Sequence, residues 1–190
     1  MLHEQLTWFT NEQLNKYTNE QLSQFPHLGC IYDRKYQDVQ RWRCLRDKGW
    51  DNMTDIEQSE WLGEISPIPS ATKGMYTHND LNRVESTVES IATLFRSIGY
   101  NVPEMVTKTN WTYTDTITLA EMDRYFKNIE TLRKILAVFG DTPKTPDVSE
   151  NFFNYSRAND VERILSDVLF AINNTVDTWH YAGEVNIGEV

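Results

Sequence analysis

The sequence predicts an all-α protein built around a three-helix bundle. Three stretches, at about 78–98, 119–138 and 157–179, repeat apolar residues every three or four positions, as a helix with one buried face does. Their similar lengths indicate that the helices pack on one another. The chain has 190 residues, of which 39% are hydrophobic, enough for a substantial core. We expect this body to occupy residues 73–190 and to follow a small, Trp-rich helical region over residues 1–72.

The N-terminal region begins with a short aromatic repeat over residues 8–25. In it Thr10 and Thr18 each precede the letters Asn-Glu-Gln-Leu. Two such units are too short to bury their own aromatic rings, so we expect the rings to lie either on the chain's own body or on another subunit. The candidate protein-contact residues of this repeat are Trp8, Phe9, Tyr17 and Phe25.

A second helical stretch is predicted over residues 33–48, where the cations of the N-terminal region concentrate, among them Arg34. A nucleic-acid-binding face is one interpretation of this cluster. Aspartates are interleaved with the cations, however, and the whole chain has a formal net charge of −10, which repels phosphates. We therefore interpret the stretch as a solvated, ion-paired helix face and expect no nucleic acid partner. Three tryptophans are expected to form a small aromatic core beside it: Trp42, Trp50 and Trp61.

The boundaries of the long helices are marked in the sequence. Thr77 with Asp80, and Thr118 with Glu121, have the spacing of capping boxes and are expected to begin the first and second helices. Gly99 is placed to end the first helix, because glycine adopts the left-handed conformation that follows many helices. A further capping box is predicted in the N-terminal region, from Thr54 to Glu57.

The starts of the three long helices also resemble one another. Each has an acid, an apolar residue, a polar residue, an arginine and another apolar residue in that order. The pattern is either an internal repeat or the ordinary preference for acids in a first helical turn. The three arginines, Arg83, Arg124 and Arg163, are potential ligand-binding groups, but we expect each to pair with carboxylates on its own or a neighbouring helix.

The two links between the long helices, residues 99–118 and 139–156, are longer than the ~2–8 residues usual in a bundle. We expect the up-down-up order that short links would force, although each link is long enough to run back along a helix of ~30 Å. In the first link threonines alternate around Trp111 and Tyr113. This alternation is typical of a strand, or of an edge that pairs with a partner.

The C-terminal tail, residues 181–190, combines β-prone residues with two glycines. We expect it either to pack on the bundle or to add a strand to a neighbouring subunit. Tyr181 of this tail joins Trp111 and Tyr113 of the first link among the candidate protein-contact residues.

Reactive patterns are scarce in the sequence. The four histidines are scattered and no His-x-x-x-His or Cys-x-x-Cys occurs, so we expect no metal site. The eight glycines form no phosphate-binding loop or nucleophile elbow. Cys30 and Cys44 are the only cysteines, and we expect them to be reduced and partly buried. The sequence therefore predicts a protein that is not an enzyme and needs no cofactor.

Membrane association and export are not expected either. No run of residues approaches the ~20 apolar residues of a membrane span. The N-terminal letters lack the basic region followed by an apolar stretch that marks a secretory signal. We expect the protein to remain in the cytosol where it is made, or in a particle assembled there.

The second half of the chain resembles a group of small helical proteins encoded in the tail and baseplate modules of phages and prophages of Gram-positive bacteria. The residues that carry the resemblance are Lys73-Gly74-Met75-Tyr76, Asp80-Leu81-Asn82-Arg83-Val84-Glu85, Gly99-Tyr100, Trp111, Met122 with Arg124, Ala158-Asn159-Asp160-Val161-Glu162 and Trp179-His180-Tyr181-Ala182-Gly183-Glu184. The resemblance covers about residues 73–190. It implies a structural protein of the virion, made in the host cytoplasm, with other tail or baseplate subunits as partners and no catalytic residues.

Two functions follow as expectations. In the first, the protein is a tail or baseplate component that assembles through protein–protein contacts, and we expect a homo-oligomer because such assemblies are symmetric. In the second, it is a host-recognition tail protein whose exposed tryptophan and tyrosine rings stack on cell-surface glycans.

Overall fold

The computed structural model describes residues 30–62, 71–148 and 153–183, and for residues 71, 72 and 176–183 it describes the backbone alone. In these residues the protein is helical, as predicted, and contains no β-strand. Two short 3-10 turns, at Trp50–Asn52 and Ala71–Gly74, accompany five α-helices. These are α1 (Tyr36–Lys48), α2 (Asp55–Leu62), α3 (His78–Ser97), α4 (Leu119–Arg133) and α5 (Tyr155–Gly183).

The predicted capping boxes begin α3 and α4. Thr77 donates its N–H to Asp80 Oδ2 at 2.8 Å, and its hydroxyl oxygen accepts the N–H of Asn79 at 3.2 Å. At α4 the N–H of Thr118 reaches Glu121 Oε2 at 2.8 Å. Each box satisfies N–H groups that the helix itself leaves unpaired, which is worth ~1 kcal/mol. Both predictions are confirmed, and so is the one at Thr54 and Glu57, whose side chains cap α2 in the same way.

The three long helices contact one another pairwise and share one apolar core. Its fully buried members fall at the three- and four-residue spacing read in the sequence. From α3 they are Val84, Val88, Ile91 and Phe95, from α4 Ile129 and Leu132, and from α5 Val161, Ile164, Leu165, Val168 and Ile172.

All three long helices begin at the same end of this core and run in the same direction. Near its start α3 contacts the start of α5, through Arg83 and Glu162 at 2.9 Å. It also contacts the start of α4, through Glu85 and Arg124 at 2.6 Å. The expected up-down-up order is therefore wrong. The links are long enough to return along the helices, and they do so.

The first return segment, residues 98–117, runs back along α3. It contains Gly99, whose φ of 90° ends α3 as predicted. As the residue number rises along the return, the number of its partner on α3 falls. The pairs in order are Pro103 with Arg96, Thr107 with Glu89, Lys108 with Glu85 and Trp111 with Asn82. The alternating threonines thus belong to an extended segment that is held by helix side chains.

The second return segment, residues 134–148, packs between α4 and α5. Arg133 Nε donates to the carbonyl of Pro143 at 3.0 Å, and Thr142 Oγ1 donates to Asp167 Oδ2 at 2.6 Å. The helix predicted to reach residue 138 ends at Arg133, and Phe139 stacks on Phe170 with ring centroids 5.3 Å apart. The apolar residues beyond Arg133 still pack against the core, but outside the helix.

The two return segments are held by the same kinds of contact. An arginine at the end of the preceding helix donates to a proline carbonyl, and a glutamate further back accepts from a threonine hydroxyl. The pairs are Arg96–Pro103 and Glu89–Thr107 in the first unit, and Arg133–Pro143 and Glu130–Thr145 in the second. This correspondence favours the internal-repeat interpretation of the helix starts.

The helices before residue 63 form a smaller cluster. Its buried residues are Leu45 and Met53, with Trp61 packed against them, and Trp50 is 45% exposed. The predicted core of three tryptophans is therefore wrong, because Trp50 sits in a short turn at the surface. The turn Ala71–Gly74 lies so close to α1 that a Cβ on Gly74 would be 2.1 Å from the carbonyl oxygen of Asp38.

Over the described ranges, no helix combines the length and the apolar character that a membrane crossing requires.

Candidate protein-contact surface

Trp111 was predicted to face a partner, but the structure places it in the protein's own core with 4% exposure. Its Nε1 donates to Glu85 Oε1 at 3.0 Å, and its N–H and carbonyl both bond the side chain of Asn82, at 2.7 and 2.9 Å. The ammonium of Lys108 lies 3.7 Å from the ring centroid. The ring is thus used to fix the first return segment, and its place among the contact residues is corrected.

Glu85 is the buried acceptor at the centre of this contact. Besides the indole of Trp111 it accepts the N–H of Lys108 at 2.8 Å and two guanidinium bonds from Arg124, at 2.6 and 2.7 Å. The hydrogen bonds that Arg124 donates to Glu85 raise the pKa of Arg124. A buried carboxylate with four donors is fully satisfied, so this group holds the architecture rather than offering a free base.

Tyr113, two residues further on, is 87% exposed. It sits in a turn in which Asp115 Oδ2 accepts the N–H of Thr112 at 2.8 Å, and the N–H of Asp115 reaches the carbonyl of Thr112 at 3.1 Å. The hydrogen bond from the Thr112 backbone lowers the pKa of Asp115, so the turn is held by a carboxylate that stays charged. The structure thus presents a large exposed ring on an ordered turn, and the contact role expected for Tyr113 stays a prediction.

Tyr113 lines a groove of about 1430 Å³ at the end of the protein where the three long helices begin. Leu119, which is 75% exposed, lines the same groove, and Met122 and Phe126 contribute buried walls. We call Tyr113, Leu119 and this groove the contact surface. It is mostly apolar, as the surfaces that bind other proteins are at their centres.

The acids beside the groove are already engaged. Asp80 caps α3 and Asp115 closes the Tyr113 turn. Within the described ranges, no three His, Cys, Asp or Glu side chains are grouped as a metal ion would need. The apolar walls and the Tyr113 ring of this surface are accompanied by the polar side chains of His78 and Arg157, which also line the groove.

A second buried carboxylate, Glu162, holds the anchor segment, residues 30–35, against α3 and α5. Arg34, with a side chain only 2% exposed, bonds Glu162 Oε1 at 2.9 Å and Asp80 Oδ1 at 3.0 Å. The N–H of Ile31 donates to Glu162 at 2.5 Å, and Asn159 bonds the backbone of Arg34 in both directions, at 3.1 and 2.8 Å. Arg34 was predicted to lie on a solvated helix face; it precedes α1 and is buried instead.

The predicted pairing of the three arginines with carboxylates is confirmed. Arg83 pairs with Asp80 on its own helix and with Glu162 on α5, and these two carboxylates raise its pKa although burial alone would lower it. Arg124 pairs with Glu85. Arg163 pairs with Asp141 and Asp167.

A pair of buried hydroxyls lies between these two charged centres. The phenol oxygens of Tyr76 and Tyr125 are 2.6 Å apart, and burial raises the pKa of both groups. The guanidinium carbon of Arg34 lies 5.3 Å from the centre of the Tyr76 ring. No pattern in the sequence indicated that these two tyrosines meet, because they are far apart along the chain.

The other candidate contact residues are not placed by the structure. Trp8, Phe9, Tyr17 and Phe25 lie outside the described residues. The backbone of Tyr181 belongs to the last turn of α5, which continues to Gly183. The beginning of the predicted strand-like tail is therefore helical, and residues 184–190 lie outside the described ranges.

Comparisons of this chain with protein-family models, with curated proteins and with solved structures give no match.

Proposed function

We propose that this protein is a non-enzymatic structural component of a phage or prophage tail or baseplate. In this proposal α3, α4 and α5 form a three-helix bundle that serves as a rigid body. The contact surface, the aromatic repeat at residues 8–25 and the C-terminal tail dock it onto neighbouring subunits, including further copies of itself.

One observation supports the proposal above the others. The described residues that carry the resemblance to tail and baseplate proteins have architectural roles. Gly74 allows the close approach to α1, Gly99 ends α3, and Trp111 and Arg124 meet at Glu85. Asn159 holds the backbone of the anchor segment. What the chain has in common with that group is therefore a scaffold, as a structural role requires.

The test is the presence of the protein in particles. We expect mass spectrometry of tail particles, induced from a lysogen that carries the gene and purified, to detect it at a fixed copy number relative to the other tail proteins. Its absence from purified particles that contain the other tail proteins would contradict the proposal.

A variant of the contact surface sharpens this test. Tyr113→Ala removes an 87% exposed ring, so the unfolding free energy is expected to change by less than ~0.5 kcal/mol. Incorporation into particles is expected to fall, while Tyr113→Phe, which keeps the ring, incorporates normally. Normal incorporation of the alanine variant would remove Tyr113 from the contact surface. The same comparison applies to the repeat, where Trp8→Ala with Tyr17→Ala is expected to weaken assembly and leave the bundle folded.

A host-recognition role is the second candidate, favoured by the exposure of the Tyr113 ring, because aromatic rings stack on the faces of sugars. A glycan array probed with the purified protein separates the two roles. Binding that is lost in Tyr113→Ala and kept in Tyr113→Phe supports recognition. An array without binding supports assembly.

A further inference from the structure

Part of the backbone of the first return segment has no hydrogen-bond partner in the described protein. Between Pro103 and Trp111, helix side chains bond the carbonyls of Pro103 and Val106, the N–H of Lys108 and both backbone groups of Trp111. The N–H and carbonyl groups of Met105, Thr107 and Thr109 bond none of the residues that the structure describes.

These three residues alternate with positions that face the helices. The carbonyl of Val106 accepts from Arg124 Nη1 at 2.7 Å and from Asn128 Nδ2 at 2.8 Å, and the N–H of Lys108 donates to Glu85 at 2.8 Å. Backbone groups two residues apart point to the same edge of a strand. Thr107 lies between these two inward positions, so its backbone groups, and those of Met105 and Thr109 where the chain stays extended, point to the opposite edge; Pro103 and Trp111, which bond α3, lie beyond this stretch.

The segment is extended enough for such an edge. On α3 its partners run from Arg96 to Asn82, a distance of about 21 Å at ~1.5 Å per helical residue. The return covers this distance between Pro103 and Trp111, at about 2.6 Å per residue against ~3.3 Å in a strand. Of the three residues on the outer edge, Thr109 is exposed, and Met105 and Thr107 are half-buried.

We propose that this open edge pairs with the same edge of a second copy of the chain, antiparallel and centred on Thr107. The inference deepens the proposed assembly role, on which it rests, by naming the contact between copies. Each of the three outward residues would exchange a pair of N–H to carbonyl bonds with the partner strand.

The sequence of the edge suits a self-complementary contact. With the two-fold axis at Thr107, this residue faces its own copy, and Met105 faces Thr109. Threonine pairs across antiparallel strands are favourable. The charged residues meet neutral ones, since Lys108 lies opposite Val106 and Glu104 opposite Asn110, so no like charges are juxtaposed. A two-fold symmetric interface uses the same surface patch on both subunits.

The edge is also preorganised. The helix side chains fix it at Pro103, Val106, Lys108 and Trp111, so little backbone entropy remains to be lost when a partner strand binds. Its length is limited at one end by Pro103, which has no N–H, and at the other by the turn that carries Tyr113. The interval between them is that of an ordinary short strand. Because the contact is small, we expect the isolated dimer to be weak and to depend on concentration.

The test uses two substitutions at Thr109, an exposed residue that makes no hydrogen bond to the described chain. Thr109→Pro removes the outward N–H and places a ring at the edge, whereas Thr109→Ala keeps the N–H. Light scattering of the full-length proteins over a range of concentrations measures the dimer. We expect wild type and Thr109→Ala to dimerise and the proline variant to bind at least about tenfold more weakly. Equal dimerisation of Thr109→Pro, or a wild-type monomer at every concentration, would overturn the inference.

Hydrogen exchange of the wild-type protein gives a second answer that does not depend on the folding of a variant. The amides of Met105, Thr107 and Thr109 are expected to exchange more slowly as the protein concentration rises, while the amide of Val106, on the inner edge, stays unchanged. Exchange rates that do not depend on protein concentration at any of these three amides would contradict the inference. If the protein is monomeric but present in tail particles, the pairing is refuted and the proposed function stands. If it dimerises but is absent from tail particles, the pairing stands and the proposed function is refuted.

Discussion

Glu85 and Glu162 are both buried carboxylates of the three-helix core, yet they join different parts of the chain. Glu85 gathers Trp111, Lys108 and Arg124, which follow it within the next two elements. Glu162 gathers Ile31 and Arg34, from more than a hundred residues earlier in the sequence. The first centre fastens a link beside its own helix. The second joins the anchor segment, near one end of the chain, to the last long helix.

Their cations differ in access to water as well. The side chain of Arg124 is 21% exposed and that of Arg34 only 2%. Without Glu85, Arg124 can still turn towards solvent, whereas Arg34 without Glu162 remains buried with Asp80 as its counter-charge. The comparison teaches that two ion pairs with similar distances can contribute unequally, because the penalty for breaking a pair depends on how far the remaining charge is from water.

The largest expected effect comes from Glu162→Gln. The change removes the buried charge that Arg34 and Arg83 share and leaves both cations with Asp80, so we expect the free energy of unfolding to fall by about 3–5 kcal/mol. Urea unfolding of the full chain measures it. Asp141→Asn, which breaks the exposed pair with Arg163, is the matched control and should cost less than ~1 kcal/mol. A similar loss in both variants would mean that burial does not decide the effect.

Glu85→Gln is expected to cost less, about 2–3 kcal/mol. The glutamine oxygen can still accept from Trp111 or from the N–H of Lys108, and Arg124 can reach solvent. Hydrogen exchange locates the damage: the amide of Lys108 should lose protection and the amide of Ile31 should keep it. In Glu162→Gln the opposite pattern is expected. If each variant released both segments equally, the two centres would be one cooperative unit.

Trp111→Phe tests the indole hydrogen bond alone. The ring stays in the core, but Glu85 loses one of its four donors and a small void remains, so we expect a loss of about 1–2 kcal/mol. Urea unfolding again provides the measurement, and Tyr113→Phe, at the exposed neighbouring aromatic residue, is the control. No loss in Trp111→Phe would show that Lys108 and Arg124 satisfy Glu85 unaided.

The smallest expected effect is a change in the reactivity of the two cysteines. Burial, with the nearby charge of Glu162 adding to it, raises the pKa of the Cys30 thiol to about 12, and Cys44 is exposed. Because the thiolate is the reactive form, we expect iodoacetamide at pH 8 to modify Cys44 at least about a hundredfold faster than Cys30. Mass spectrometry of digested samples follows both sites. The difference in modification rate between the two cysteines should narrow in Glu162→Gln and persist in Glu85→Gln; a difference that stayed unchanged in both variants would show that Glu162 does not control the reactivity of Cys30.

The helices and their starts could be predicted from the sequence because the signals are local. The stripe of Val84, Val88 and Ile91 and the capping pair of Thr118 with Glu121 each lie within a few residues of one another. Helix direction could not be predicted in this way. It depends on whether the links return, and that is decided by contacts such as Lys108 with Glu85, which no periodicity reports.

The positions of the aromatic residues of the first return segment were predicted in part for a similar reason. Alternating threonines identified an extended stretch around Trp111 and Tyr113 but did not distinguish the aromatic residue that faces inward from the one that faces outward. The difference depends on a buried acceptor. Glu85 accepts from the indole nitrogen of Trp111, whereas no such acceptor among the described residues lies beside the phenol of Tyr113. Arg34 was misjudged because its two carboxylates, Asp80 and Glu162, are distant in sequence.

The common direction of the three long helices has a consequence for how quickly the protein folds. In an up-down-up arrangement a short turn brings each new helix against the previous one almost at once. Here each helix must wait until a return of about twenty residues has been laid along its predecessor. Contacts far apart in sequence slow folding, so we expect this protein to fold more slowly than an antiparallel bundle of equal size and stability. The earliest structure should be a helix with the return that follows it.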